Sequence, residues 1–219
     1  MNIDHHPSEA LLLDYASGAL GEGWSVAIAT HLALCPTCRQ VVRDMESIGA
    51  ALMEGLEPAP ISGNIKPDMF NVPFAEQAEE ETISVPIETS PTPVLPEPLR
   101  RYIGGDLDQV PWRRLGLGAY QCLLPTDEDE TIVRLLRIPA GNLVPSHSHD
   151  GVELTLVLDG AFSDSTGRYV RGDLQEADGS LEHQPHAAVG ADCICLVVTD
   201  APLRFSSRAA RIVQPFIGI

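Results

Sequence analysis

The chain has 219 residues, room for one large domain or two modest ones. Thirty-one acidic residues against 14 basic ones leave a formal net charge of -17, which argues against direct contact with nucleic-acid phosphates or an anionic membrane surface. No apolar run approaches the ~20 residues of a membrane span, and MNIDHHPSEALLLDYASG lacks the basic start and apolar middle of a signal peptide, so a cytoplasmic protein is expected. In that compartment cysteines more often hold metal or respond to redox state than form structural disulfides.

Residues 1 to about 57 read as helical. Ser8-Glu9 precedes an apolar pattern at Ala10, Leu11, Leu12, Leu13, Tyr15 and Ala16 that Gly18 ends. A second helix is expected from about Trp24 to Leu34. A third opens at Cys35-Pro36, where proline suits the first helical position. It carries Val41, Val42, Met45, Ile48 and Leu52 at helical spacing and stops before Gly55. His31, Cys35 and Cys38 form H-x3-C-x2-C across the turn between these helices. Amide dipoles at a helix start favour thiolates, and the three residues supply three ligands of a tetrahedral zinc site. His6 or His5 is the candidate fourth. A redox dithiol and plain apolar packing are the competing readings of Cys35 and Cys38.

This pattern resembles the zinc-binding anti-sigma domain, a small helical bundle that binds sigma factors of the extracytoplasmic-function group. The resemblance implies His6, His31, Cys35 and Cys38 as the zinc ligands. It also implies a fourth helix that docks on the partner, which Pro67 and Pro73 confine to roughly Phe74 to Ile83.

Nine of the 18 prolines lie between Pro58 and Pro98, among Ser, Thr and Glu, a composition that reads as linker. Residues 99 to 219 read as β, with strands expected at Trp112 to Leu124, Thr131 to Ile138, Glu153 to Leu158, Arg168 to Val170 and Cys193 to Val198. Turn residues separate them. Many short strands at close spacing indicate a sandwich or barrel. Cys122 reads as core.

The densest motif runs from Gly141 to Gly160, GNLVPSHSHDGVELTLVLDG. His147 and His149, two apart, share one face of a strand, and Glu153 follows four residues later. Two imidazoles and a carboxylate on one face make half a metal site. The spacing resembles the first signature motif of the cupin barrels. Gly172-Asp173 to His183-Gln184-Pro185 resembles the second more loosely, with Ala-Asp-Gly where Pro-x-Gly is usual. His183 is the expected fourth ligand, with His186 as the alternative. Cys193 and Cys195 alternate on a strand and share a face, either near the metal or in a core.

The combined order resembles the ChrR family of cupin anti-sigma factors along the whole chain. The expected fold class is α+β multidomain: an all-α zinc-binding helical bundle over 1–84, a Pro-rich linker over 85–98 and an all-β cupin barrel over 99–219. The resemblance implies zinc, two ions per chain, held by His6, His31, Cys35 and Cys38 and by His147, His149, Glu153 and His183. It implies an anti-sigma factor, not an enzyme. Residues 1–84 would bind the extracytoplasmic-function sigma factor in a heterodimer and keep it from core RNA polymerase. Release would follow oxidative stress such as singlet oxygen or organic peroxide, sensed through the cupin, with Cys193 and Cys195 as further sensing residues. Self-association is expected when sigma is absent. The alternative is a metal-dependent cupin enzyme of dioxygenase type with an accessory zinc domain.

Overall fold

The computed structural model describes residues 3–59, 93–116, 118–127 and 130–205. The helix expected near 74–83 and most of the expected linker lie outside them.

Three helices open the chain: α1 (Glu9–Ala16), α2 (Glu22–Leu34) and α3 (Pro36–Glu54). The Ser8 hydroxyl accepts the Leu11 N–H at the start of α1. Cys35 ends α2 and caps α3, its sulfur accepting the Cys38 N–H with Pro36 in the first helical turn. Helix α2 is buried on a broad stripe through Gly23, Val26, Ala27, Thr30 and His31. Only Cys38 and Val42 are buried on α3, so the apolar stripe expected along it is covered at one end and open at the other.

A fourth helix, α4 (Glu97–Ile103), forms where linker and strand were expected. Pro98 sits in its first turn and Gly104 ends it in the left-handed region at φ 79°. Asp106 accepts the Val94 and Leu95 N–H groups and fixes the approach to the helix.

Eleven strands follow: β1 (Arg113–Gly116), β2 (Ala119–Leu124), β3 (Ile132–Ile138), β4 (His147–His149), β5 (Glu153–Asp159), β6 (Ala161–Ser163), β7 (Arg168–Val170), β8 (Leu174–Ala177), β9 (His186–Ala187), β10 (Cys193–Thr199) and β11 (Leu203–Phe205). The single strand expected from Trp112 to Leu124 is instead the hairpin β1–β2, because Gly118 at φ 84° turns the chain back. The strands form a six-stranded antiparallel sheet in the order β1-β2-β3-β10-β5-β8, a three-stranded sheet β7-β6-β9 and a pair β11-β4. All three sheets contribute walls to one cavity of about 70 Å³. The layout is the α+β arrangement expected, with helices first and a β-barrel after.

Strands β5 and β10 are buried on both faces, which is why they read as continuous apolar runs. On β10, Ile194, Leu196 and Val198 face the helices, while Cys193, Cys195 and Val197 face the cavity. Leu154, Leu156 and Leu158 of β5 join Ala27 and Ile28 of α2 in the same core. The helices and the barrel therefore share one apolar core. Glu22 of α2 adds a polar seam, accepting the Tyr102 hydroxyl at 2.6 Å and the Asp127 N–H at 2.6 Å.

Helix α2 comes close to the start of β3 at Gly23. A Cβ there would lie 2.2 Å from Thr131 Oγ1 and 3.0 Å from a methyl of Val133. Gly23→Val should cost about 1–3 kcal/mol of stability, and adding Thr131→Ala should return part of it. Thermal unfolding of the three proteins checks this.

Candidate metal centres

The first centre lies where the helices meet the barrel. His6 comes from the extended segment before α1, His31 from the last turn of α2, Cys35 from the α2–α3 junction and Cys38 from the first turn of α3. Their donor atoms all lie within 4.8 Å of one another. His6 Nδ1 is 3.5 Å from Cys35 Sγ and 3.2 Å from Cys38 Sγ. His31 is fully buried, and its Nδ1 donates to the Gly172 carbonyl at 2.9 Å. That leaves Nε2, buried without a hydrogen-bond partner, as the ring's available lone pair. His5, the alternative fourth residue, turns the other way. Its ring lies 4.3 Å from that of Tyr169 and its Nδ1 3.4 Å from Asp173 Oδ2.

Burial sets the proton chemistry here. It depresses His31 to about 4, so the ring is neutral and free to coordinate. Burial, with the Cys35 thiol beside it, pushes Cys38 up to about 12. A cation among these atoms would reverse that cost, since a thiolate is stable only beside positive charge. Two sulfurs and two imidazoles are a donor set that fits zinc.

The second centre lies inside the barrel. His147 and His149 leave β4 on one face, Glu153 begins β5, and His183 lies in the loop before β9. His183 is paired with His147 through both backbone bonds, His147 N–H to His183 O at 3.1 Å and the reverse at 3.0 Å. All four side chains are buried, with donor atoms within 4.8 Å of one another. His183 Nε2 is 3.0 Å from His147 Nε2 and 3.2 Å from His149 Nε2. The other nitrogens of two rings are held: His147 Nδ1 donates to the Pro145 carbonyl at 2.8 Å and His183 Nδ1 to Asp164 at 2.7 Å. Rings held this way turn their Nε2 atoms toward one another, an arrangement that a shared cation relieves. His186, the alternative ligand, is exposed on β9 and outside the cluster.

Burial depresses His147 and His149 to about 4. It raises Glu153 to about 7, against the hydrogen bond from Thr155. Burial alone would raise Asp164 as well, but Thr166, Gln175 and His183 donate to it and bring it down to about 2. Asp164 is thus an anionic partner for the His183 imidazole.

Cys193 and Cys195 line the same cavity as His147, Glu153 and His183, with their sulfurs 3.5 Å apart. Their mutual hydrogen bond and burial push Cys195 well above the usual thiol range. They stand outside the four-residue cluster. Cys122 is in the helix-side core. Sequence reasoning missed Asp164, Gln175 and Thr155, and it read Gly172-Asp173 as a cupin signature without a role toward His31. Asp164 sits in a turn 19 residues from His183, and nothing local marks such a pairing.

A family model described as the ChrR Cupin-like domain matches residues 101–202. The chain is 46% identical over 221 residues, spanning 100% of both chains, to the anti-sigma-E factor ChrR of Cereibacter sphaeroides. It is also similar to ChrR in the crystal structure of Rhodobacter sphaeroides SigE in complex with the anti-sigma ChrR. There the TM-score is 0.78 at 44% identity, over 91% of this chain and 100% of the other.

Acid should unfold the metal-free protein early. A histidine whose folded value lies below its ordinary 6.5 adds stability that is full above 6.5 and is lost as pH falls toward 4, and His31, His147 and His149 all have this sign. Glu153 has the opposite sign, its contribution present below 4.5 and lost as pH rises to about 7. With three groups against one, the melting temperature should fall between pH 6.5 and 4. His147→Gln should flatten that slope in thermal scans.

Proposed function

We propose, on the premise that the chain belongs to the ChrR family of anti-sigma factors, that it sequesters an extracytoplasmic-function sigma factor away from core RNA polymerase. Its role is regulatory, not enzymatic. The observation that carries this reading is the full-length relative, itself an anti-sigma factor and seen in a related structure with SigE. Residues 1–84 form the sigma-binding unit, 85–98 the linker and 99–219 the cupin. The sigma factor docks on the apolar stripe that α3 leaves open. Ile48 and Leu52 stand at four-residue spacing and are 63% and 71% exposed, with Met53 at 71% and Leu56, just beyond the helix, at 69%. Without sigma, the same stripe supports self-association. The net charge of -17 suits a partner with basic DNA-binding regions.

Both centres hold zinc, two ions per chain: His6, His31, Cys35 and Cys38 in one, His147, His149, Glu153 and His183 in the other. Zinc supplies a closed tetrahedral link among its ligands and no redox chemistry of its own. Sensing therefore falls on side chains. Singlet oxygen or organic peroxide attacks the cupin histidines or the paired thiols Cys193 and Cys195, and the oxidised barrel lets sigma go. Among the described residues no helix is long and apolar enough to cross a membrane. A protein that holds a sigma factor away from RNA polymerase works in the cytoplasm.

Two experiments test the reading. Cys35→Ala should abolish co-purification with the sigma factor, because a small helical unit depends on its metal. Leu52→Asp should abolish it while leaving zinc content at two. Binding retained in both variants would sink the assignment. For sensing, the shared core makes removal of residues 99–219 destructive, so the full-length His147→Ala is the cleaner variant. It should bind sigma normally and fail to release it when cells are exposed to singlet oxygen. Normal release would place sensing at the N-terminal centre.

A further inference from the structure

The segment carrying His6 has no helix or strand to hold it, and what holds it belongs to the barrel. Asp173 Oδ1 accepts the Asp4 N–H at 2.8 Å and the His5 N–H at 3.0 Å. The Leu174 N–H donates to the His5 carbonyl at 3.1 Å, and Glu176 accepts the Ser8 N–H. Residues 4 to 8 are thus laid along the start of β8, with His6 at the centre of the gripped stretch. Ile3 closes the end, since a Cβ at Gly172 would lie 2.6 Å from its Cδ1.

The same turn reaches the second imidazole. The Gly172 carbonyl accepts from His31 Nδ1, which fixes the tautomer and aims Nε2 at Cys35 and Cys38. The turn is itself held rigid. The Gly172 N–H donates to the Val157 carbonyl at 2.8 Å, and the Val170 N–H donates to Asp173 Oδ2 at 2.8 Å. Asp173 is only 1% exposed, so its carboxylate is a buried acceptor for three backbone amides from two parts of the chain.

We infer that the barrel turn at Gly172–Asp173 and the start of β8 position two of the four ligands of the N-terminal centre, His6 and His31. The metal site of the helical unit is therefore steadied from the barrel side. This inference rests on the metal reading of His6, His31, Cys35 and Cys38, and it makes Asp173 and Glu176 positioning residues for a site they do not touch. It also provides a route between barrel and helices that does not pass through the segment joining them in sequence.

Cobalt(II) distinguishes the two centres, because only a site with sulfur ligands gives a thiolate-to-metal charge-transfer band. The test follows loss of that band when full-length, cobalt-loaded protein meets excess EDTA, while total cobalt released reports the cupin centre. Asp173→Ala should speed loss of the sulfur band by about tenfold or more, the usual scale for removing an outer partner of a ligand, with release from the cupin centre unchanged. Glu176→Ala alters an exposed side chain, so it keeps the fold if Asp173→Ala does not. It should speed the same band alone, by a smaller factor. Wild-type rates in both variants would overturn the inference. Equal loosening of both centres would also overturn it, because it would mark a general loss of stability. A wild-type protein with no sulfur band would instead overturn the metal reading itself, and the inference with it.

Discussion

Burial of β5 and β10 on both faces is the constraint on which the rest of the structure depends. One face of this pair packs against α2, and the other forms the floor of the cavity that holds the cupin centre. Every second residue therefore serves the helices and every other one serves the metal site. A register slip of one residue would exchange the two sets, placing leucines in the cavity and Glu153 against the helices. The register is pinned at the end of the pair. A bulge separates Ile194 from Cys195, and Gly160 lies where any Cβ would come within 2.3 Å of the Asp192 carbonyl.

The two centres differ in how they are built. In the cupin centre the candidate ligands lie on β4 and β5, strands of different sheets, and on a loop bonded to β4 through the backbone, so the framework that presents them belongs to the barrel. In the N-terminal centre only His31, Cys35 and Cys38 sit on continuous helical framework. His6 arrives on an irregular segment whose partners are barrel residues. Strand β8 contacts both arrangements. Asp173, before its first residue, grips the segment that carries His6, while Gln175 within it donates to Asp164, the carboxylate that orients His183. The centres are thus neighbours across one strand, although their ligands are more than a hundred residues apart in the chain.

The open end of α3 contrasts with the buried surfaces elsewhere. A helix with large apolar residues at four-residue spacing normally covers them, and α3 does so at Cys38 and Val42. It packs there against α1 and α2, and beyond Met45 none of its residues is buried. Among the described residues this surface is left exposed, on the helix that carries Cys38 of the first centre.

The sequence by itself determined the broad order of helices before strands and the two groups of candidate ligands, His31, Cys35 and Cys38 in one and His147, His149 and Glu153 in the other. Helical periodicity, capping residues and short-range spacings such as H-x3-C-x2-C and H-x-H-x3-E are local, and local geometry is legible from residue order. It left the split of Trp112 to Leu124 into a hairpin and the helix at Glu97 unread, because one glycine's φ and a distant aspartate that holds the approach to the helix decide them. Only the tertiary structure chose His6 over His5, since adjacent residues on an irregular segment point wherever their partners lie, and Asp173 and Tyr169 draw His5 away. It chose His183 over His186 through backbone pairing with His147. It also brought the helices and the barrel into one core, with Gly172 against His31, a contact between residues 141 positions apart that no local pattern encodes.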